Sequence, residues 1–367
     1  MFSCPPKLPI GQAPNLKEID MRRRSLLKIA AFLLLPLPIT LAKADATGIR
    51  TITDMSGRSV VVPAQVKRVA TMGSVPPLNS LLFAVGASDR LVSGLPPRFG
   101  QNPRWTFQKV FAPQLVDAPL IETQSREPDL EAIIALQPDV ILTTYPAMAD
   151  AVARVGVPAV VIEWQEPDDV KAAMELIGGL LGKEKEAAAY VDYFDRTLAR
   201  VSAISQSLAA TEKPRVLYFE PETISQPHLI AEWWIQQAGG VSVSDDGRSQ
   251  EVLSFNIEQV LAWNPDIILV PQLKNVEKVF GNPLLKDVRA VVTRRVFPLP
   301  VVAHTWGNRT AEQPLTVLWA ARTINPEVFG AIDLKAEVER FYVTIFAHPL
   351  DDEIVAAILD PTTEPPH

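Results

Sequence analysis

Nine side chains of three chemical kinds carry most of the chemistry available to this sequence. Arg98, Arg104 and Arg309 offer paired donors to a carboxylate, a catecholate or another oxyanion. Trp105, Tyr145, Trp164 and Trp306 offer aromatic faces to a planar or cationic group. His228 and His304 are two of only four histidines, and imidazole is a common metal ligand near neutral pH. Each also has an ordinary alternative, the arginines as surface ion pairs and the aromatic residues as core. No G-x-S-x-G elbow, phosphate-binding glycine loop or H-E-x-x-H motif occurs. Glu163, Glu220 and Glu222 are the carboxylates that a hydrolase reading would use as an acid–base pair.

The nine residues share one feature of position. Each follows a predicted strand, and parallel α/β sheets bind ligands beyond the carboxyl ends of their strands. Buried β-branched runs predict strands at Val66–Met72, Leu91–Leu95, Val140–Thr143 and Ala159–Ile162. Arg215–Phe219, Ile267–Val270 and Arg295–Leu299 continue the series, and a hairpin turn is predicted at Ser56-Gly57 before Ser59–Val62. Helical patterns alternate with these strands, which describes a parallel sheet wrapped by helices.

An internal repeat implies two such sheets. Asp129-Leu-Glu-Ala-Ile-Ile-Ala-Leu-Gln-Pro-Asp-Val-Ile-Leu142 matches Asn256-Ile-Glu-Gln-Val-Leu-Ala-Trp-Asn-Pro-Asp-Ile-Ile-Leu269 at a constant offset of 127. Each copy reads as an N-cap, a short helix with Glu131 or Glu258 in its first turn, a Pro-Asp stop and a buried strand. Two copies so far apart imply two similar α/β lobes rather than a solenoid. Between them, apolar residues from Lys183 to about Leu208 keep spacings of three or four. A helix of that length runs about 39 Å, enough for a strut between lobes.

Composition narrows the class. The chain has 367 residues, a net charge of −7, 33 prolines and one cysteine. That length suits two domains, and an acidic balance opposes nucleic-acid binding. One cysteine excludes an intramolecular disulfide, a cysteine zinc site and an iron–sulfur cluster. Arg22-Arg23-Arg24 precede an apolar run from Ile29 to Ala42, and Ala42-Lys43-Ala44 ends it. This is the pattern of a secretory signal, with Arg23-Arg24 resembling a twin-arginine pair and ordinary Sec export as the alternative. Residues 1–20 read as an extension ahead of Met21, and Cys4 precedes the apolar run, so it is no lipidation site. The expected product is periplasmic, with no stable membrane insertion after cleavage.

The order and spacing of several short motifs resemble the periplasmic substrate-binding proteins of siderophore, haem and cobalamin ABC importers. They are Ile52-Thr-Asp-Met-Ser-Gly-Arg58, Leu82-Phe-Ala-Val-Gly-Ala87, Gln137-Pro-Asp-Val-Ile141 and Gly156-Val-Pro158. Ile177-Gly-Gly-Leu-Leu-Gly182, Ala238-Gly-Gly240 and Asn264-Pro-Asp-Ile-Ile268 complete the set. The resemblance implies two Rossmann-like lobes joined by one long α-helix, with a ligand cleft between them and small opening motions. The corresponding divisions are 1–44 (extension and signal peptide), 45–167 (N-terminal lobe), 168–210 (helical region), 211–350 (C-terminal lobe) and 351–367 (tail). The tail beyond Leu359 is expected to be disordered.

The resemblance further implies a monomer that captures a ferric siderophore or related metal chelate, with cobalamin or haem as alternatives. No cofactor and no catalysis are expected. Arg98, Arg104, Trp105, Tyr145, Trp164, His228, His304, Trp306 and Arg309 are the expected ligand contacts. One of the two histidines could complete the metal's coordination or simply hydrogen-bond the chelate. No H-x-H or H-x-x-x-H spacing marks a bare metal site. Glu131 and Glu258 match the acids that dock such proteins onto arginines of the permease, through which they act on its ATPase.

Overall fold

Both copies of the repeat fold alike in the computed structural model, which describes residues 48–164, 168–248, 250, 252–360 and 362. The export segment, residues 1–20 and Cys4 lie outside the described residues, as does most of the stretch after Leu359.

In the first half, β1 (Ile49–Thr53) and β2 (Ser59–Pro63) form the predicted hairpin. β3 (Val69–Met72) leads into α1 (Val75–Ala84), followed by α2 (Pro97–Gly100) and α3 (Thr106–Phe111). The first repeat copy supplies α4 (Leu130–Leu136) and β4 (Val140–Thr143), and α5 (Pro146–Ala153) connects to β5 (Ala159–Val161). The parallel order is β3-β4-β5. The strand expected at Leu91–Leu95 shrinks to one bridge between Leu91 and Val69. Val92 N–H still reaches the Val69 carbonyl, but Gly94 N–H turns away to Pro119, so the ladder ends there.

Two helices follow, α6 (Asp169–Leu181) and α7 (Glu184–Ser205). The strut is 22 residues long, or about 33 Å. It packs on α6 and α1 and also on helices of the second half, burying Tyr190, Phe194 and Val201 completely. Its close approach to α6 depends on Gly178, where a Cβ would stand 2.5 Å from that of Ala187.

The second half contains β6 (Arg215–Tyr218), β7 (Ser225–Pro227), α8 (Ile230–Gln237), β8 (Val241–Ser242) and β9 (Val252–Ser254). The second repeat copy gives α9 (Ile257–Trp263) and β10 (Ile267–Val270). α10 (Leu273–Gly281), α11 (Arg289–Val292), β11 (Val296–Pro298), α12 (Gln313–Ile324) and α13 (Leu334–Thr344) complete the lobe. Its parallel order is β11-β10-β6-β8, and β7 and β9 form a separate antiparallel pair. The stretch read as a tail begins with a further helix, α14 (Asp352–Leu359), whose Val355 and Ile358 enter the core.

The Pro-Asp motif has the same physical job in each lobe. The helix ends on a left-handed residue, Gln137 or Asn264, and proline then blocks its continuation. Asp139 Oδ2 accepts from Lys67 and Arg68 N–H at 2.7 and 2.9 Å, and Asp266 Oδ2 accepts from Arg215 N–H at 2.9 Å. The same arginines donate to the end of the helix, Arg68 to the Leu136 carbonyl at 2.7 Å and Arg215 to that of Trp263 at 2.8 Å. Each repeat therefore locks its helix to the start of the neighbouring strand. The N-caps hold as expected, with Ala132 N–H on Asp129 and Gln259 N–H on Asn256. The largest core is continuous through both lobes, from Val69 and Leu142 past α7 to Leu269, Trp306 and Phe341.

Candidate functional site

The carboxyl ends of β3 and β4 open onto a cavity of about 490 Å³ between the lobes. At the end of β3, Gly73 adopts φ +77 and leaves no room for a side chain, because a Cβ there would lie 2.5 Å from the Tyr145 ring. The turn is pinned on its other side by a buried carboxylate. Glu122 accepts the Gly73 N–H at 2.7 Å and pairs with Arg98 at 2.6 Å, while Arg98 also donates to the Gly73 carbonyl at 3.1 Å. Phe99, Arg126 and Met148 line the same wall. The opposite wall comes from the second lobe, through Pro227, His304, Asn308 and Arg309. Arg98, Arg126 and Arg309 are the charged lining residues, and none of the described lining side chains is acidic. A side arm of about 290 Å³ shares Ser74, Tyr145 and Arg309 and extends to Glu163 and Trp164. Trp164 is almost wholly buried there, and Glu163 accepts from Ser56 Oγ at 2.8 Å.

The loop carrying His304, Asn308 and Arg309 is fixed by groups outside its own sheet. Buried Gln108 donates to the Ala303 carbonyl at 2.6 Å, and Asn79 in turn donates to Gln108 at 2.8 Å. Tyr190 of the strut donates to the Ala311 carbonyl at 2.9 Å, and Ser80 Oγ accepts the Ala311 N–H at 3.0 Å. The fully buried Glu312 accepts from His304 N–H at 2.9 Å, from Thr310 Oγ at 3.0 Å and from the Tyr342 hydroxyl. Burial pushes the Glu312 carboxyl upward, and these donors oppose that shift. First-lobe and strut residues thus hold a second-lobe loop, so the floor of the cleft is stiff.

Three of the expected contacts serve this framework. Arg104 crosses between lobes to donate to Thr305 Oγ1 and to the Pro271 carbonyl. Trp105 lies under His304, ring centroids 4.9 Å apart and planes 12° from parallel. Trp306 is fully buried in the main core and does not line the cavity. His228 is also buried, its Nδ1 2.8 Å from the Gln250 carbonyl and its Nε2 3.2 Å from Glu232. It does not line the cavity with His304. Arg98, Tyr145, His304 and Arg309 do line the main cavity, and Trp164 lines its arm. Phe99, Arg126, Met148 and Asn308 join them without having been singled out. Phe99 directly follows Arg98 and Asn308 precedes Arg309, so adjacency was their available signal. Arg126 reaches the cavity only through a left-handed turn, φ +68, that no local pattern announces. Among the described residues, no three His, Cys, Asp or Glu side chains cluster to hold a metal ion.

The His304 imidazole lies between the Trp105 face and the cavity. Burial, then the charge of Arg104, pushes its imidazole down from 6.5 to about 3. The folded protein therefore keeps it neutral where the unfolded chain takes up a proton. Because the unfolded state binds more protons, stability falls as the pH drops from about 6.5 toward 3. His304→Gln should flatten that part of the profile, read from denaturation midpoints at pH 7, 6, 5 and 4. Parallel profiles for variant and parent would contradict this protonation state.

A family model described as Periplasmic binding protein matches residues 94–303. This chain belongs to the periplasmic binding protein family. Family membership makes it a periplasmic binding protein, and that family is one of solute-binding proteins rather than of enzymes. Solved binding proteins share its fold. A periplasmic solute binding protein from Veillonella parvula superposes with a TM-score of 0.73 at 23% identity, covering 85% of this chain and 96% of that one. The molybdate periplasmic binding protein MolA of Haemophilus influenzae, bound to molybdate, gives 0.72 at 21% identity, covering 82% and 99%. CeuE of Helicobacter pylori, in a nickel–histidine complex, gives 0.67 at 16% identity, covering 83% and 97%. No curated protein matches the sequence. The binding protein thus has two lobes about a strut helix, and no helix among its described residues is long and apolar enough to cross a membrane.

Proposed function

We propose that this binding protein captures an anionic metal chelate, of the ferric siderophore class, and delivers it unaltered to an ABC permease. One observation carries the reading. The main cavity is lined from both lobes, its charged lining is cationic, and aromatic faces stand beside the charges. Arginine guanidinium groups match carboxylate and catecholate oxygens, and Tyr145 and Phe99 match the planar or apolar parts of such a chelate. Glu122 already offsets the charge of Arg98, and Arg126 and Arg309 are the further cationic groups that a bare cation would meet. His304 is neutral and can accept or donate one hydrogen bond to the chelate. In this reading residues 45–167 and 211–350 are the two jaws, and Glu131 and Glu258 are the points at which the closed complex meets the permease. Both acids are exposed on equivalent helices, which suits a partner with two equivalent halves.

Titration of the protein's intrinsic tryptophan fluorescence with a panel of ferric hydroxamates and catecholates tests the reading. Arg126→Ala with Arg309→Ala should weaken the best ligand by at least about tenfold, since each removes a charge-assisted contact. Unchanged affinity in that double variant would move the ligand out of this cavity.

A further inference from the structure

Both repeat helices expose an aliphatic side chain one turn beyond their acid. On α4, Glu131 is exposed and Ile134 is 53% exposed, and on α9, Glu258 is exposed and Leu261 is 41% exposed. Residues three apart share a helix face, so each apolar side chain neighbours its carboxylate. Ala135 and Ala262 are exposed beside them, whereas Ile133 and Val260 are buried completely. Single exposed aliphatic residues are common and need no explanation. Here the same one recurs at the same place in both lobes. The two copies differ in character on these helices at Ala132 against Gln259 and Leu136 against Trp263, and they match at the inward Leu130 and Ile257 and Ile133 and Val260. Three of the outward positions keep their character, as Glu and Glu, Ile and Leu, Ala and Ala. Solvent alone imposes no aliphatic residue on an outward position. An aliphatic residue kept outward in both copies is what a partner covering the two positions would require.

We propose that Ile134 and Leu261 are apolar anchors of the permease-docking face, each seated in a small apolar socket next to the cation that receives Glu131 or Glu258. The inference rests on the docking role given to those two acids and adds a second kind of contact to it. The occupant is one permease with two equivalent halves, because one acid and one anchor stand on each lobe in the same arrangement. Neither helix contains a lysine or arginine, so a surface complementary to the acid and the aliphatic residue would offer a cation beside an apolar pocket. The acids steer the approach and the anchors slow dissociation.

The test uses the full protein and the permease–ATPase complex of its own importer in phospholipid nanodiscs, with binding read by surface plasmon resonance. Ile134→Ser and Leu261→Ser should each weaken binding about fivefold, and together about twenty-fivefold, mainly through faster dissociation. Ligand titration and the melting temperature should stay unchanged, and Ile134→Thr with Leu261→Thr repeats the test should the serine pair melt early. Full binding by the serine pair, when Glu131→Gln with Glu258→Gln has lost it, would overturn the anchors and leave the acids standing. Full binding by both pairs would overturn the docking face itself. Equal binding to empty nanodiscs would assign the anchors to lipid. A dimer in sedimentation that only the serine pair dissolves, with permease binding intact, would assign them to a second copy. Either assignment overturns the proposal.

Discussion

Glu131→Ala combined with Glu258→Ala should abolish cargo uptake by cells while leaving cargo affinity of the purified protein within about twofold. The physical basis is separation of roles. Both carboxylates are exposed on repeat helices and neither lines the cavity. Each sits in a first helical turn, where its loss removes about 0.3–1 kcal/mol of favourable interaction with the helix dipole. The fold survives that loss, since Asp129 and Asn256 still cap the helices and Asp139 and Asp266 still tie them to their sheets. Under the proposed docking role the interaction should not survive, because a cation on the partner would be buried without a counter-charge, which costs about 2–5 kcal/mol at each site. Uptake of labelled cargo, measured beside a fluorescence titration of the same variant, checks both halves. A parallel loss of affinity and uptake would place the acids in the ligand's own environment and refute the docking role.

Trp306→Ala should damage the fold rather than the cleft, lowering stability by about 3–5 kcal/mol. Its side chain is fully buried in the core shared by both lobes. Its carbonyl accepts from Thr316 Oγ1 at 2.6 Å and its backbone N–H donates to the Pro300 carbonyl at 3.1 Å, so the main chain on either side is fixed and cannot close the void. Chemical denaturation gives the number directly. A variant that unfolds like the parent yet has lost its ligand would return Trp306 to the cleft. Trp164 differs, since it borders the side arm. Trp164→Ala should act on ligand affinity before it acts on folding.

Architecture was legible because it is written locally. The Pro-Asp stops, the N-caps and the β-branched runs act within a few residues of themselves, and all of them recur in both copies. The strut was legible for the same reason, its spacing holding over 22 residues. The strand at Leu91–Leu95 was misread because apolar character was present but Gly94 N–H had another partner in Pro119. The cavity was half legible. Strand ends point to loops that line the cavity and its arm, where Arg98, Tyr145, Trp164, His304 and Arg309 stand. Whether a loop residue faces ligand or framework depends on partners distant in sequence. Arg104 finds Thr305, and Trp105 finds His304, across the two lobes. His228 finds Glu232 and Gln250 inside its own lobe. Glu122 was not singled out at all, although it holds both Arg98 and the Gly73 turn, because an isolated glutamate carries no pattern.

In the proposed reading these residues form a stiff vice whose cationic gap grips a metal-bearing small molecule and releases it chemically intact. Native mass spectrometry of the protein taken from its own periplasm, run beside the Arg126→Ala and Arg309→Ala double variant, measures this most directly. The expected spectrum shows a metal-containing adduct on the parent, at the mass of the free molecule, and little or none on the variant. The same adduct at full occupancy on both proteins, or one whose mass the protein has altered, would contradict the account.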